Sequence, residues 1–244
     1  MPSRFAALAS ATLFCISFLP LGISAQEETS SSVMPTITAD GQLMGPGRGL
    51  TKHFEISFME FTIDHHFSAL RMTELAAGTD TQRNAGIWPN EGTSPTPGFP
   101  ATSAKADLAD LKSLARRNNR MQREEILMLQ MFLRQWYGIS YQPKLPASAQ
   151  PMLEILESAK SGKDFDHAFL EVFSQHHADL LDDLNRCLTG AELLHPDLHR
   201  ACNDMWHSQT SDIDEMRREL ARHFKIVDYQ PFKDPRGQHS STQP

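Results

Sequence analysis

Two histidine doublets are the residues in this chain best suited to chemistry. They are His65-His66 in FTIDHHFSAL and His176-His177 in FSQHHADLL. Histidine is the commonest metal ligand in proteins, through a neutral imidazole nitrogen. On a helix, neighbouring side chains point about 100° apart. A doublet is therefore a poor chelate within one helix, where ligands share a metal best four residues apart. It can work across helices, with one histidine of each doublet pointing inward so that the two rings meet. Met72 follows His65 by seven residues and Met59 precedes His66 by seven. Each shares its histidine's stripe and could offer a thioether. His207, two residues before Gln209, could join from the side. Gln122 and Gln209 interrupt otherwise apolar stripes and are placed to orient an inward imidazole by a hydrogen bond. The alternative for the same residues is a satisfied polar layer that fixes bundle register. The other methionines, Met121, Met128, Met131, Met205 and Met216, read as core filling.

The doublets need helices to hold them. Phe54, Phe58, Phe61, His65, Ala69 and Met72 recur every three or four residues and share one face. This helix starts at Thr51, and Gly78 ends it. Residues 79–101 hold Gly and Pro clusters and form a long loop. A second helix is expected from near Ser103 to Gly138, with Leu108, Leu111, Leu114, Met121, Ile126, Leu129 and Leu133 as its stripe. A linker follows, with a short helix over about 151–161. A third long helix opens at Asp164 and closes at Thr189-Gly190. A fourth starts at His195-Pro196, with Pro196 in its first turn.

The two halves match. Phe58…His65-His66…Leu70 followed by Gln122-x-x-Glu125-Ile126 pairs with Phe169…His176-His177…Leu181 followed by Gln209-x-x-Asp212-Ile213. From second histidine to glutamine the gap is 56 residues in one half and 32 in the other, a difference of 24. That difference is close to the length of the Gly/Pro-rich loop. The repeat is a helical hairpin whose first copy carries an insertion. The expected fold class is all-α: a four-helix bundle built from two repeated hairpins. The hairpins span 51–138 and 163–230, joined by a linker at 139–162.

These residues resemble the secreted bacterial family catalogued as domain of unknown function 305. Its pattern is a Met-rich turn, His-His-x-x-Ala-Ile-x-Met, then Gln-x-x-Glu-Ile-x-x-Met. The first copy keeps His65-His66-x-x-Ala69-Leu70-x-Met72 closely. The resemblance covers most of 52–137 and 163–224. It implies a ferritin-like four-helix bundle and copper bound through His and Met, with no established catalytic activity. The chain departs from the pattern at three places. Phe61-Thr62 and Val172-Phe173 stand where the family has its Met-rich turn, and Asp183 stands for the Met after the second doublet. Loss of thioethers weakens a Cu(I) preference, hardens the second half-site and suits the whole to Cu(II), Zn or no metal at all.

The N-terminus gives the compartment. Arg4 precedes an apolar run from Phe5 to about Ile23, then Ser24-Ala25 meets Gln26-Glu27-Glu28. This reads as a signal peptide, residues 1–25, cut after Ala25. A membrane anchor is the alternative, but Pro20 and Gly22 break the run and no basic stop-transfer cluster follows. Residues 26–50 and 231–244 read as a tether and a tail without periodicity. The product is expected in the periplasm or secreted, with no membrane span. Its two remaining cysteines, Cys187 and Cys202, fit a disulfide across the second hairpin, with Cu(I) thiolate binding as the sharper alternative.

The formal charge of −7 argues against a nucleic-acid partner. No nucleophile–base arrangement, phosphate loop or dinucleotide fingerprint is present. Glu192-x-x-His195-x-x-x-His199-x-x-Cys202 offers metal-ligand spacing at a hairpin turn. It lacks the counterpart in the first half that a di-iron enzyme needs. The expectation is an exported, non-enzymatic metal-binding protein, copper being the ion, for storage, buffering or resistance. The competing expectation is a metal-free structural or interaction module of the envelope.

Overall fold

The structure is a computed structural model, and it describes residues 50–79, 95–189 and 192–231. The signal peptide, the tether, most of the 79–101 loop with Trp88, and the tail beyond 231 lie outside the described residues. Within them are helices α1 (Thr51–Ala77), α2 (Ala109–Tyr137), α3 (Gln150–Ser158), α4 (Lys163–Thr189) and α5 (Pro196–Glu219). A π-helical turn, Leu220–Phe224, extends α5. The described residues contain no strand. None of these helices is long and apolar enough to cross a membrane.

The long helices form the four-helix bundle, α1 with α2 and α4 with α5 as antiparallel hairpins. Position 65 maps to 176, and 122 maps to 209. The second hairpin therefore repeats the first at an offset of 111 residues for the leading helix and 87 for the returning one. Side-chain contacts obey the same relation. Phe54 stacks on Phe58 at 5.8 Å between centroids, and their counterparts Phe165 and Phe169 stack at 5.9 Å. Glu55 accepts from the backbone amides of Leu194 (2.7 Å) and His195 (3.1 Å) at the start of α5. Its counterpart Asp166 accepts from Asp107 (3.0 Å) and Leu108 (3.2 Å) at the start of α2. Each hairpin thus caps the other's returning helix, where the first amides have no partner within the helix. These reciprocal contacts relate the two hairpins by an approximate two-fold.

Two apolar clusters fill the interior. One packs Met72, Leu75, Leu111, Leu114, Phe165 and Phe169; the other packs Phe54, Phe58, Met59, Leu129, Leu133 and Leu184. Fully burying each such side chain contributes about 1.5–3 kcal/mol. Between the clusters lies a polar belt.

Three sequence expectations change. Helix α2 starts at Ala109, not near Ser103. The amides of Lys105 and Ala106 are engaged by the Leu75 and Ala76 carbonyls that α1 leaves open at its end. Asp166 then caps the extended 107–108 segment. Gly78 permits this join: its φ is +81°, and a Cβ there would meet the Ala104 nitrogen at 2.9 Å. The short helix α3 ends at Ser158, before the expected 161. Met131 is exposed rather than core.

Cys187 and Cys202 form a disulfide, with Cα atoms 6.3 Å apart and both residues fully buried. It joins the end of α4 to the start of α5.

Candidate metal centre

His65 and His176 meet in the belt, as equivalent positions of the repeat must when they lie near its axis. Their ring centroids are 3.8 Å apart with planes inclined by 31°. The four histidines are all buried. His66 and His177 flank the pair, one toward each hairpin's returning helix.

The hydrogen bonds fix which nitrogens are open. The Ser68 hydroxyl donates to the His65 carbonyl at 2.6 Å. Its oxygen is therefore free to accept from His176 Nε2, 2.9 Å away, which also lies 3.2 Å from the His65 carbonyl. This arrangement puts the His176 proton on Nε2 and leaves Nδ1 as a bare lone pair without a partner. Neither ring nitrogen of His65 has a partner. His177 Nδ1 donates to the Phe173 carbonyl at 2.9 Å, and its Nε2 lies 3.2 Å from Asn118 Oδ1 and 3.6 Å from Asp212 Oδ2. His66 Nε2 lies 2.8 Å from Glu125 Oε2, off the line of a hydrogen bond, and its Nδ1 has no partner. The His66–Glu125 and His177–Asp212 pairs are counterparts under the repeat.

Burial pushes the His65 and His176 imidazoles well below the ordinary histidine range, and the neighbouring rings push them further. Both are neutral at pH 7, which is the form that binds a metal. Burial alone would raise the Asp212 carboxyl. The adjoining His177 and Arg117 outweigh it and hold Asp212 below its usual value.

The remaining predicted residues divide. Gln122 and Gln209 are fully buried in the belt, but neither bonds a histidine. Gln122 Nε2 reaches Asn118 Oδ1 at 3.4 Å, so Asn118 carries the contact to His177. Both polar atoms of Gln209 are without partners. Met59 and Met72 each sit in one of the flanking apolar clusters, on opposite sides of the belt. Seven residues are about 10.5 Å of helix, so each is two turns from its histidine. His207 is exposed, its ring against Trp206 at 5.3 Å. Two residues from Gln209 is about 200° around the helix, which turns His207 away from the belt. The sequence reading missed Ser68, Asn118, Glu125 and Asp212 as histidine partners. Asn118 precedes Gln122 by four residues and shares its face, which is the signal that could have found it.

The Glu192/His195/His199 spacing does not assemble a site. His195 Nδ1 is bound to Glu55 Oε2 at 2.7 Å and its ring stacks on Trp136 at 3.9 Å. His199 instead contacts the Leu188 carbonyl.

The donor set suits a metal, since imidazole binds copper, zinc, nickel and iron. The orphaned His65 and His176 nitrogens are what a ligand would satisfy, at about 1–3 kcal/mol for each buried polar group left unmade. The described residues hold no ready group of three or more His, Cys, Asp or Glu ligands.

A family model, Domain of unknown function (DUF305), matches residues 101–220. Comparison with curated proteins finds no match. Among solved structures the chain is similar to CopM in the Cu(I)-bound form, 23% identical over 69% of this chain and 96% of that one, with a TM-score of 0.51. It is similar to CopM in the Cu(II)-bound form, 22% identical over 69% and 96%, TM-score 0.51. CopM in the Ag-bound form, obtained by co-crystallization, is 22% identical over 70% and 97%, TM-score 0.50. These likenesses support the helical fold.

Proposed function

We propose that this chain, a member of the DUF305 family, is an exported copper-binding protein that stores, buffers or detoxifies the ion. The observation that carries the reading is the His65–His176 pair: buried, neutral, and with three ring nitrogens lacking any partner. His66 and His177 complete the nitrogen donors, and Glu125 and Asp212 bring negative charge to each flank. Copper is cargo here, so the chain's task is to bind and release, not to catalyse. CopM, whose fold is similar and which is known in Cu(I)-, Cu(II)- and Ag-bound forms, supports copper over the other ions imidazole accepts. The Cys187–Cys202 disulfide supports an oxidising compartment.

A second reading rests on the bonds already made. Ser68 holds His176 and Asn118 holds His177, as in a polar layer that fixes register. The two readings separate on bound metal per chain, measured by elemental analysis after exposure to Cu(I), Cu(II) or Zn(II) and removal of excess. Near-stoichiometric copper is expected, and it should vanish when His65, His66, His176 and His177 become Ala while the helical signal persists. Equal, weak uptake by both proteins selects the metal-free layer.

A further inference from the structure

The two flanks of the belt are counterparts in sequence but differ in their bonds. His177 is tied at both ring nitrogens, through Nδ1 to the Phe173 carbonyl at 2.9 Å and through Nε2 to Asn118 Oδ1 at 3.2 Å. His66, its counterpart, is fully buried and has a hydrogen bond at neither nitrogen. The carboxylates differ in the same sense. Asp212 Oδ1 is covered by the Arg117 guanidinium at 3.1 Å, which also reaches Glu215 at 2.8 Å. Glu125 pairs with no Lys or Arg among the described residues, and its Oε2 stands 2.8 Å from His66 Nε2. The counterpart of Arg117, 87 residues on, is the exposed Asp204, so the repeat supplies no cation there. Arg123, the cation nearest to Glu125 in sequence, is engaged by Glu74 at 3.1 Å and by Asn119 at 2.8 Å.

We infer that a metal cation enters and leaves the belt at the His66–Glu125 flank, and that Arg117 closes the opposite flank. A cation approaching Asp212 meets a guanidinium already paired with that carboxylate, and like charges repel. A carboxylate with no cation partner attracts an ion instead. The Glu125 side chain keeps 13% exposure while the His66 ring beside it has none, so the pair runs from the surface into the belt. No hydrogen bond holds the His66 ring, so passing an ion inward breaks none. The same step at His177 breaks two. The next donor inward is His65, 6.0 Å from His66 between ring centroids.

This inference rests on the copper reading and gives that site its route. The full chain is mixed with Cu(II) in a stopped-flow cell, and the loaded protein is then chased with excess EDTA. Wild type runs beside Glu125→Gln and Asp212→Asn, both close in shape to the native side chain, with the helical signal of each checked. A residue on the route alters capture and release together, whereas a residue that holds the ion alters affinity. Glu125→Gln should slow both steps about tenfold, the low end for loss of a guiding charge, with Cu(II) affinity kept within about threefold. Asp212→Asn should leave both rates unchanged. Unchanged capture in Glu125→Gln, or equal slowing by the two substitutions, overturns the inference and leaves the copper reading standing. A wild-type chain that retains no copper overturns both.

Discussion

His65 and His176 are the same position of the repeat, and the two-fold relation between the hairpins stacks their rings 3.8 Å apart. A residue near such an axis meets its own copy, so any cost there is paired. His65 adds two buried nitrogens without partners. Replacing a buried unsatisfied polar group by an apolar one of similar size is neutral or stabilising. His65→Leu should therefore raise the stability of the metal-free protein by about 1 kcal/mol while lowering its copper uptake. Urea unfolding checks the first part. A clear loss of stability would show that the stack supports the fold.

The Glu55 and Asp166 caps predict a matched pair of losses. Each carboxylate accepts two backbone amides from the other hairpin, and Glu55 also accepts from the Tyr137 hydroxyl and His195. Asp166→Ala should cost about 1–2 kcal/mol, the usual range for a lost cap. Glu55→Ala should cost more, because four donors lose their acceptor. The sites lie at opposite ends of the bundle, so the double variant should show the sum within about 0.5 kcal/mol. Strong non-additivity in denaturant unfolding would contradict two independent latches.

The Cys187–Cys202 bond closes a stretch with a sequence separation of 15. Replacing both cysteines by Ala should cost about 3 kcal/mol, as a loop of that size predicts. Because both residues are fully buried, a reductant should release no dye-reactive thiol from this bond until the protein is denatured. Rapid reduction of the native protein would show that the α4–α5 end opens readily.

The tyrosines predict behaviour at alkaline pH. Burial raises Tyr137, Tyr141 and Tyr229 above the ordinary phenol value, reinforced by Glu55, by Asp64 and Glu60, and by Glu171 respectively. Their folded pKa values exceed the unfolded ones, so the native state holds more protons once the unfolded phenols begin to ionise near pH 10. Their contribution is fully present below that pH and is lost as pH rises toward the folded values. Phenolate absorbance should therefore emerge together with loss of helix. Phenolate forming while the helical signal persists would refute it.

Much of the architecture was legible in the sequence because periodicity is a local property. Phe54, Phe58 and His65 announce one face of α1, and their counterparts announce α4. The mismatch of 24 residues marked an insertion between the first pair of helices. The start of α2 was not legible. Residues 103–108 carry helical spacing, but the amides of 105–108 are claimed by the end of α1 and by Asp166, which lie far away along the chain. The pairing of the inward histidines could be expected from the repeat, yet their partners could not. Ser68, Asn118 and Asp212 face the rings because α1, α2, α4 and α5 bring them together at one height. His207 and Met72 show the converse, since residues near a site in sequence are carried away by helix rotation and rise. Composition and spacing determined a doubled helical hairpin with histidines at matching heights. Only packing around the two-fold axis decided which nitrogens are bonded and which remain open, because that depends on distances no single helix controls.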